Sequence, residues 1–215
     1  MFVAVADPIG QGIVANLARP GGNITGFSAS VDMALAGKYL EILTQIDPPV
    51  ARVAVLFNPA TAPNAGSTLN SIDEAARSLK LPVQPAPVDT ESEIEAVMAE
   101  FAREPRGGLV VLASIFTVGH RASIIDLAAR YRLPAVYGFP LFATAGGLMA
   151  YGVETVDLIR GSADYVDRIL KGDRPGDLPV QQPTKFILVI NLKTAKALGI
   201  TIAPSLLAIA DEVIE

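Results

Sequence analysis

Two segments, Arg52-Val53-Ala54-Val55-Leu56-Phe57 and Gly108-Leu109-Val110-Val111-Leu112-Ala113, are apolar at almost every position. A strand with one wet face alternates polar and apolar residues. A strand that is apolar throughout must be covered on both faces, as in a parallel sheet sandwiched between helices. The neighbouring segments supply the helices. Asn64 to Leu81, Glu91 to Arg103 (with Thr90 as its cap) and Gly119 to Tyr131 read as helices, and Leu141 to Ala145 as a short one. Val83 to Val88, Ala135 to Tyr137 and Leu148 to Tyr151 read as further strands. Residues 48–151 therefore alternate strand and helix with short connections, and an α/β lobe with a mainly parallel sheet is expected there.

The flanks are less complete. Phe2 to Ala6 reads as a buried strand closed by Asp7-Pro8, Gly12 to Arg19 as a short helix, and Ile24 to Phe27 as a strand after the Pro20-Gly21-Gly22-Asn23 turn. Asp32 is placed to cap a helix reaching Ile46, with Leu35, Tyr39 and Ile42 on its apolar face. Gly152 to Lys171 reads as a long amphipathic helix whose apolar stripe is Val156, Ile159, Ala163, Val166 and Leu170. Phe186 to Asn191 is an apolar strand, and Lys193 to Leu198 a short helix ended by Gly199. The elements before residue 48 amount to half a domain.

Composition narrows the function classes. Of the 215 residues, 51% are hydrophobic, enough to fill a core, and the net charge is −5 with no Lys/Arg stripe. Nucleic acid is therefore not an expected partner. There is no cysteine and only one histidine, His120, so neither a thiolate nor a multi-histidine metal site is expected. No nucleophile motif accompanies His120, and Gly107-Gly108 and Gly146-Gly147 lack the pattern of a phosphate loop. No catalytic residue, cofactor or metal is expected. The Glu91, Glu93 and Glu95 cluster reads as a solvated helix start favoured by the dipole. The segment Met1 to Asp7 has no basic region followed by a long apolar one, so it is not read as an export signal.

Several motifs in order carry a resemblance. They are Ala6-Asp7-Pro8, Arg19-Pro20-Gly21-Gly22-Asn23-Ile24-Thr25-Gly26-Phe27-Ser28, Leu56-Phe57-Asn58-Pro59, and Leu133-Pro134-Ala135-Val136-Tyr137-Gly138. The series continues through Gly146-Gly147-Leu148-Met149-Ala150-Tyr151-Gly152, Ile169-Leu170-Lys171-Gly172, Pro183-Thr184-Lys185-Phe186 and Asn191-Leu192-Lys193-Thr194-Ala195. Together they resemble the ABC-transporter substrate-binding family that includes the tryptophan/tyrosine-type binding proteins. The resemblance implies a type I periplasmic-binding-like α/β fold with two lobes and a ligand cleft between them. Here one three-layer lobe, 48–151, is complete, and 1–47 with 152–215 form a remnant of the first lobe. Roughly the first third of the family's chain is missing. The implied function is solute capture for an ABC permease by a periplasmic or lipid-anchored protein, the solute being a small molecule such as an amino acid. A truncated lobe is also expected to self-associate through its uncovered edge and face. A small α/β enzyme and a ligand-sensing domain are the alternatives.

In open parallel sheets, ligands bind beyond the carboxyl ends of the strands. That rule selects Asp7, Ser28, Asn58, Thr61, Ser114, Phe116, Gly138, Phe139 and Tyr151 as the candidate ligand site. Ser28, Asn58, Thr61 and Ser114 offer hydroxyl or amide groups, and Asp7 an acceptor for an ammonium. Phe116, Phe139 and Tyr151 offer apolar surface.

Overall fold

A computed structural model describes residues 1–29 and 36–215. The chain begins with strands β1 (Phe2–Val5) and β2 (Gly26–Ser28), then helix α1 (Lys38–Leu43) and the short strand β3 (Ile46–Asp47). It continues through β4 (Arg52–Phe57), α2 (Ala65–Leu79), β5 (Val83–Pro87), α3 (Glu91–Phe101), β6 (Gly107–Val111), α4 (Ile115–Gly119), α5 (Arg121–Arg130), β7 (Ala135–Tyr137), α6 (Pro140–Thr144) and β8 (Met149–Val153). The last part holds α7 (Thr155–Leu170), β9 (Phe186–Asn191), α8 (Leu192–Leu198), β10 (Thr201–Ile202), α9 (Pro204–Ala208) and β11 (Glu212–Ile214). Asp32 and Leu35, expected to start the first long helix, lie outside the described residues.

Two compact units result. One comprises Met1–Val31 with Val153–Phe186, the other Asp32–Gly152 with Ile187–Glu215. The larger is built on a seven-stranded sheet in the order β11-β9-β8-β7-β6-β4-β5. Its paired strands run parallel, with Leu56 opposite Val111, Val111 opposite Tyr137, and Tyr137 opposite Ala150. Because strand side chains alternate between faces, the two apolar runs feed two separate cores. Val53, Val55, Val110, Leu112, Leu188 and Ile190 pack with Leu40, Ile42 and Leu43 of α1, Ile72 of α2 and Leu206 of α9. Ala54, Leu56, Leu109, Val111, Ile187 and Val189 pack with Ile94 and Met98 of α3, Ile124 of α5 and Phe142 of α6. This is the three-layer α/β arrangement expected for a parallel sheet.

The larger unit extends past the 48–151 lobe expected from the sequence. Residues 36–47 and 187–215 join it instead of the remnant. The reason is that β9 is itself apolar up to its last residue, Asn191, and needs cover on both sides, which it finds beside β8 with β11 outside it. Thr201 and Ile202 likewise pair with Asp47 and Ile46 across β10 and β3.

The smaller unit is a parallel pair, β1 and β2, packed against α7. Phe27 meets Tyr165 edge to face with centroids 5.0 Å apart. A Cβ on Gly161 would come within 2.9 Å of the Phe27 ring, so α7 lies against β2 where it has no side chain. Tyr165 Oη donates to the Pro179 carbonyl at 2.8 Å, and Thr25 Oγ1 to that of Leu178 at 2.6 Å. These bonds tie the 178–181 stretch to the unit.

Two local expectations are corrected. No helix forms over Gly12 to Arg19: Asn16 Oδ1 instead accepts from the amides of Ala18 and Arg19, a local turn that competes with helical bonding. The helix read as starting at Gly119 begins at Ile115, capped by Ser114, and is interrupted at His120. A third correction concerns α7. Its buried residues are Leu158 and Tyr165, and the stripe of Val156, Ile159, Ala163, Val166 and Leu170 is exposed.

Candidate functional site

The neighbouring strands β4, β6, β7 and β8 all end at the same side of the larger unit's sheet, because their neighbours in the sheet run parallel. Their register places Phe57, Leu112, Gly138 and Tyr151 one residue beyond the paired set Leu56, Val111, Tyr137 and Ala150. Asn58, Ala113, Phe139 and Gly152 follow. Five sequence-selected residues (Asn58, Thr61, Ser114, Gly138 and Phe139) thus lie in the loops along this sheet end, Phe116 in the first turn of α4 beside them, and Tyr151 in the last strand of the row.

Asn58 is buried and fully engaged. Its Nδ2 donates to the Val88 carbonyl and to Asp89 Oδ1, both at 2.8 Å. Its Oδ1 accepts from Thr61 N at 2.9 Å and Thr61 Oγ1 at 2.7 Å. An amide side chain offers two donors and two acceptor sites, so these bonds use its capacity. Asn58 stitches the loop after β4 to the loop after β5, and Thr61 stands exposed at its rim.

Ser114 caps α4 in a reciprocal box. Its Oγ accepts from Thr117 N at 3.2 Å, and its own N donates to Thr117 Oγ1 at 3.0 Å. The buried Thr117 hydroxyl donates to the Leu112 carbonyl at 2.9 Å. This locks the turn that follows β6 and lifts Ile115, which is 85% exposed, out of the surface. The Phe116 ring lies tilted at 36° against that of His120 with centroids 4.3 Å apart, and His120 Nδ1 lies 2.9 Å from the Phe116 carbonyl oxygen.

Gly138 sits where only glycine fits. A Cβ there would stand 2.9 Å from Ala113 N and 3.4 Å from the Tyr39 hydroxyl oxygen. A Cβ on Gly152 would stand 2.1 Å from the Gly138 carbonyl oxygen, so the ends of β7 and β8 pack backbone to backbone. Tyr151 is half-buried and turned toward the face covered by α1, where its ring meets that of Tyr39. Burial pushes the Tyr39 phenol well above its usual range, and the neighbouring Tyr151 adds to the effect. The Tyr151 phenol is raised as well, mainly by desolvation.

The aromatic candidates do not converge. Phe116 and Phe139 pack against the core of one sheet face and Tyr151 against the other. Asp7 and Ser28 belong to the smaller unit. Asp7 Oδ1 accepts from Gly10 N at 2.8 Å and shapes its own turn, whereas Ser28 closes β2 with its amide donating to the Gln181 carbonyl at 2.8 Å. Sequence reasoning missed two residues here. In the sequence Tyr39 is one member of a helical apolar stripe, and only the tertiary fold brings it to Gly138 and Tyr151. Ile115 carries no sequence signal at all. Among the described residues no group of three or more His, Cys, Asp or Glu could hold a metal ion, and no helix is long and apolar enough to cross a membrane.

The model of a family described as ABC transporter substrate binding protein matches residues 1–214. A tyrosine-binding protein of Clostridioides difficile is 24% identical over 198 residues, which are 92% of this chain and 56% of that protein. The chain thus spans little more than half the length of this curated relative. Two solved structures are similar over 99% of this chain and 70% of theirs. A conserved domain protein of Vibrio cholerae has a TM-score of 0.87 at 28% identity. The ABC domain of Streptococcus pneumoniae in complex with L-Trp has 0.86 at 26%.

Proposed function

We propose, for a chain that belongs to the ABC transporter substrate binding protein family, that it serves solute capture for an ABC permease and performs no catalysis of its own. The family match along residues 1–214 is the observation that carries this reading. The strand-end row of the parallel sheet supports a site there, since open parallel sheets hold ligands beyond their carboxyl ends. The solute is a small molecule, and an amino acid with an apolar or aromatic side chain fits best: the relatives include a tyrosine-binding protein and a structure with L-Trp.

In this proposal the site residues divide by role. Thr61, Ser114 and the carboxylate of Asp7 supply polar contacts, with Asp7 accepting from the ammonium. Phe116 and Phe139 supply apolar surface on one face of the sheet and Tyr151 on the other, and Ser28 ends the strand pair that leads to Asp7. Asn58 and Gly138 hold the loops in shape. The periplasmic or lipid-anchored setting that the family resemblance implies belongs to the same proposal. Calorimetry with L-Trp, L-Tyr and a panel of other amino acids tests it. Saturable one-to-one heat with at least one of them is expected. A folded chain that takes up none, or a chain that turns a solute over, would overturn the reading.

A further inference from the structure

Strand β5 (Val83–Pro87) ends the seven-stranded sheet on the side away from β11. It pairs with β4 in parallel, Val53 opposite Val83 and Phe57 opposite Pro87. Two bonds fix the direction of its backbone groups. Val53 N donates to the Pro82 carbonyl and Val88 N to the Phe57 carbonyl, each at 2.9 Å. Along a strand the N–H and C=O of one residue point to one side, and those of the next residue to the other. Pro82, Gln84, Ala86 and Val88 therefore turn toward β4, and Val83, Pro85 and Pro87 turn to the open side.

Both prolines of the strand thus fall in the outward set. A proline has no N–H, and its ring fills the place where the donor would stand. Of the outward residues, Val83 alone keeps its donor. An incoming strand would find carbonyls along this edge but almost nothing to donate to its own. Pro85 and Pro87 are both exposed, so neither is there to fill the core. From Leu81 to Val88 the sequence also carries no charged residue. The charges that protect many sheet edges are absent from this one, and an uncharged apolar stretch with free donors would invite pairing. We propose that Pro85 and Pro87 close this edge of the sheet to strand addition, so that neither a second copy of the chain nor an extended peptide can lengthen the sheet beyond β5. The closure is a property of the backbone of β5 itself and depends on no other segment of the chain. The self-association expected of an uncovered edge is excluded at this one.

Two measurements test this. Amide hydrogen exchange of the 215-residue chain reads the bond directions. The amides of Gln84 and Ala86 should be protected, and that of Val83 should exchange at least about a hundredfold faster. The second measurement is sedimentation velocity of Pro85→Thr/Pro87→Thr, which restores both outward donors, with circular dichroism to confirm the fold. Over about 5–200 μM its weight-average mass should climb to about twice the parent's or beyond, each single variant falling between. In the associated form the amides at positions 83, 85 and 87 should become protected. A protected Val83 amide in the parent would overturn the proposal, whether or not the variants fold. So would a folded double variant that sediments as the parent does throughout the range. Association that leaves the amides at 83, 85 and 87 unprotected would overturn it too, since the contact would then lie elsewhere.

Discussion

The rings of Tyr39 and Tyr151 meet almost at right angles, with centroids 6.3 Å apart and an interplanar angle of 76°. The contact joins α1 to β8 near the carboxyl ends of the strands, the side of the sheet on which the candidate site is proposed. Edge-to-face geometry sets the positive rim of one ring against the negative face of the other. The cost is that two phenols share a poorly solvated space, where neither ionises easily.

That burden makes stability depend on pH in alkali. The phenols of Tyr39 and Tyr137 are buried, and their ionisation is pushed well above the ordinary value of 10.0. A raised value in the folded state means that the unfolded chain releases the proton first as pH rises. The associated stability is therefore complete below about pH 10 and is lost progressively above it. Urea midpoints are expected to hold steady from neutral pH to the onset of phenol ionisation and then fall. Tyr39→Phe should flatten part of that fall. A variant whose alkaline decline matches the parent's would remove Tyr39 from the account.

Asn58 gives a second test because its four bonds are on the page. Asn58→Ala should cost about 2–3 kcal/mol, since the Val88 carbonyl loses a buried donor and the loop after β4 loses its stitch. Asn58→Asp keeps the shape but sets a carboxylate against the Val88 carbonyl and Asp89. It should be worse than alanine at neutral pH, with the deficit shrinking as acid protonates the new group. Urea unfolding of both variants at neutral and acid pH measures this. Equal stability of the aspartate variant and the parent at pH 7 would contradict it.

How much of this was legible in the sequence depended on whether the signal was local. The runs 52–57 and 108–113 announce themselves because a strand buried on both faces has almost no polar positions, and Thr90 and Gly199 mark helix ends by their own chemistry. Strand partnership is not local. Nothing in Phe186 to Asn191 says that it lies beside β8, so the unit boundary was misplaced. In α7 the stripe with the cleanest repeat proved to be the exposed one. A tyrosine and a glycine, Tyr165 and Gly161, make the real contact with Phe27, and neither scores as a strong core residue. In the site, Asn58 was recognised as a polar residue after a strand, but its engagement with Asp89 and Thr61 depends on how two loops meet.

The misplaced boundary leads to a third prediction. If 187–215 belongs to the larger unit, a chain ending at Lys185 loses β9 and the strand outside it. The slots that hold Leu188 and Ile190 on one face and Ile187 and Val189 on the other would open to water. Fully burying each such side chain is worth about 1.5–3 kcal/mol, so four together, about 6–12 kcal/mol, match the whole stability of a typical domain, about 5–15 kcal/mol. The shortened chain should lack a cooperative urea transition and lose its near-ultraviolet dichroism. A sharp transition in that chain would mean that residues 48–151 are self-sufficient after all.

The last prediction asks whether the strand-end row holds the solute. Tyr151 combines partial exposure with a fixed neighbour, since Tyr39 braces its ring from the side. A braced ring loses little freedom when a ligand packs on it, so most of the apolar gain becomes affinity. Removing the ring in Tyr151→Ala should forfeit about 1.5–3 kcal/mol, which is about ten- to a hundredfold in the dissociation constant for an aromatic amino acid. Tyr151→Phe keeps the ring and should stay within about fivefold, the modest worth of one hydroxyl hydrogen bond. Because desolvation raises its ionisation, the hydroxyl remains protonated through the neutral range, so Tyr151 should impose no pH dependence on binding there. Calorimetry on the three proteins, with circular dichroism to confirm folding, decides the matter. A folded Tyr151→Ala chain that binds as tightly as the parent would take Tyr151 out of the site and move the solute toward Phe116 and Phe139 on the other face of the sheet.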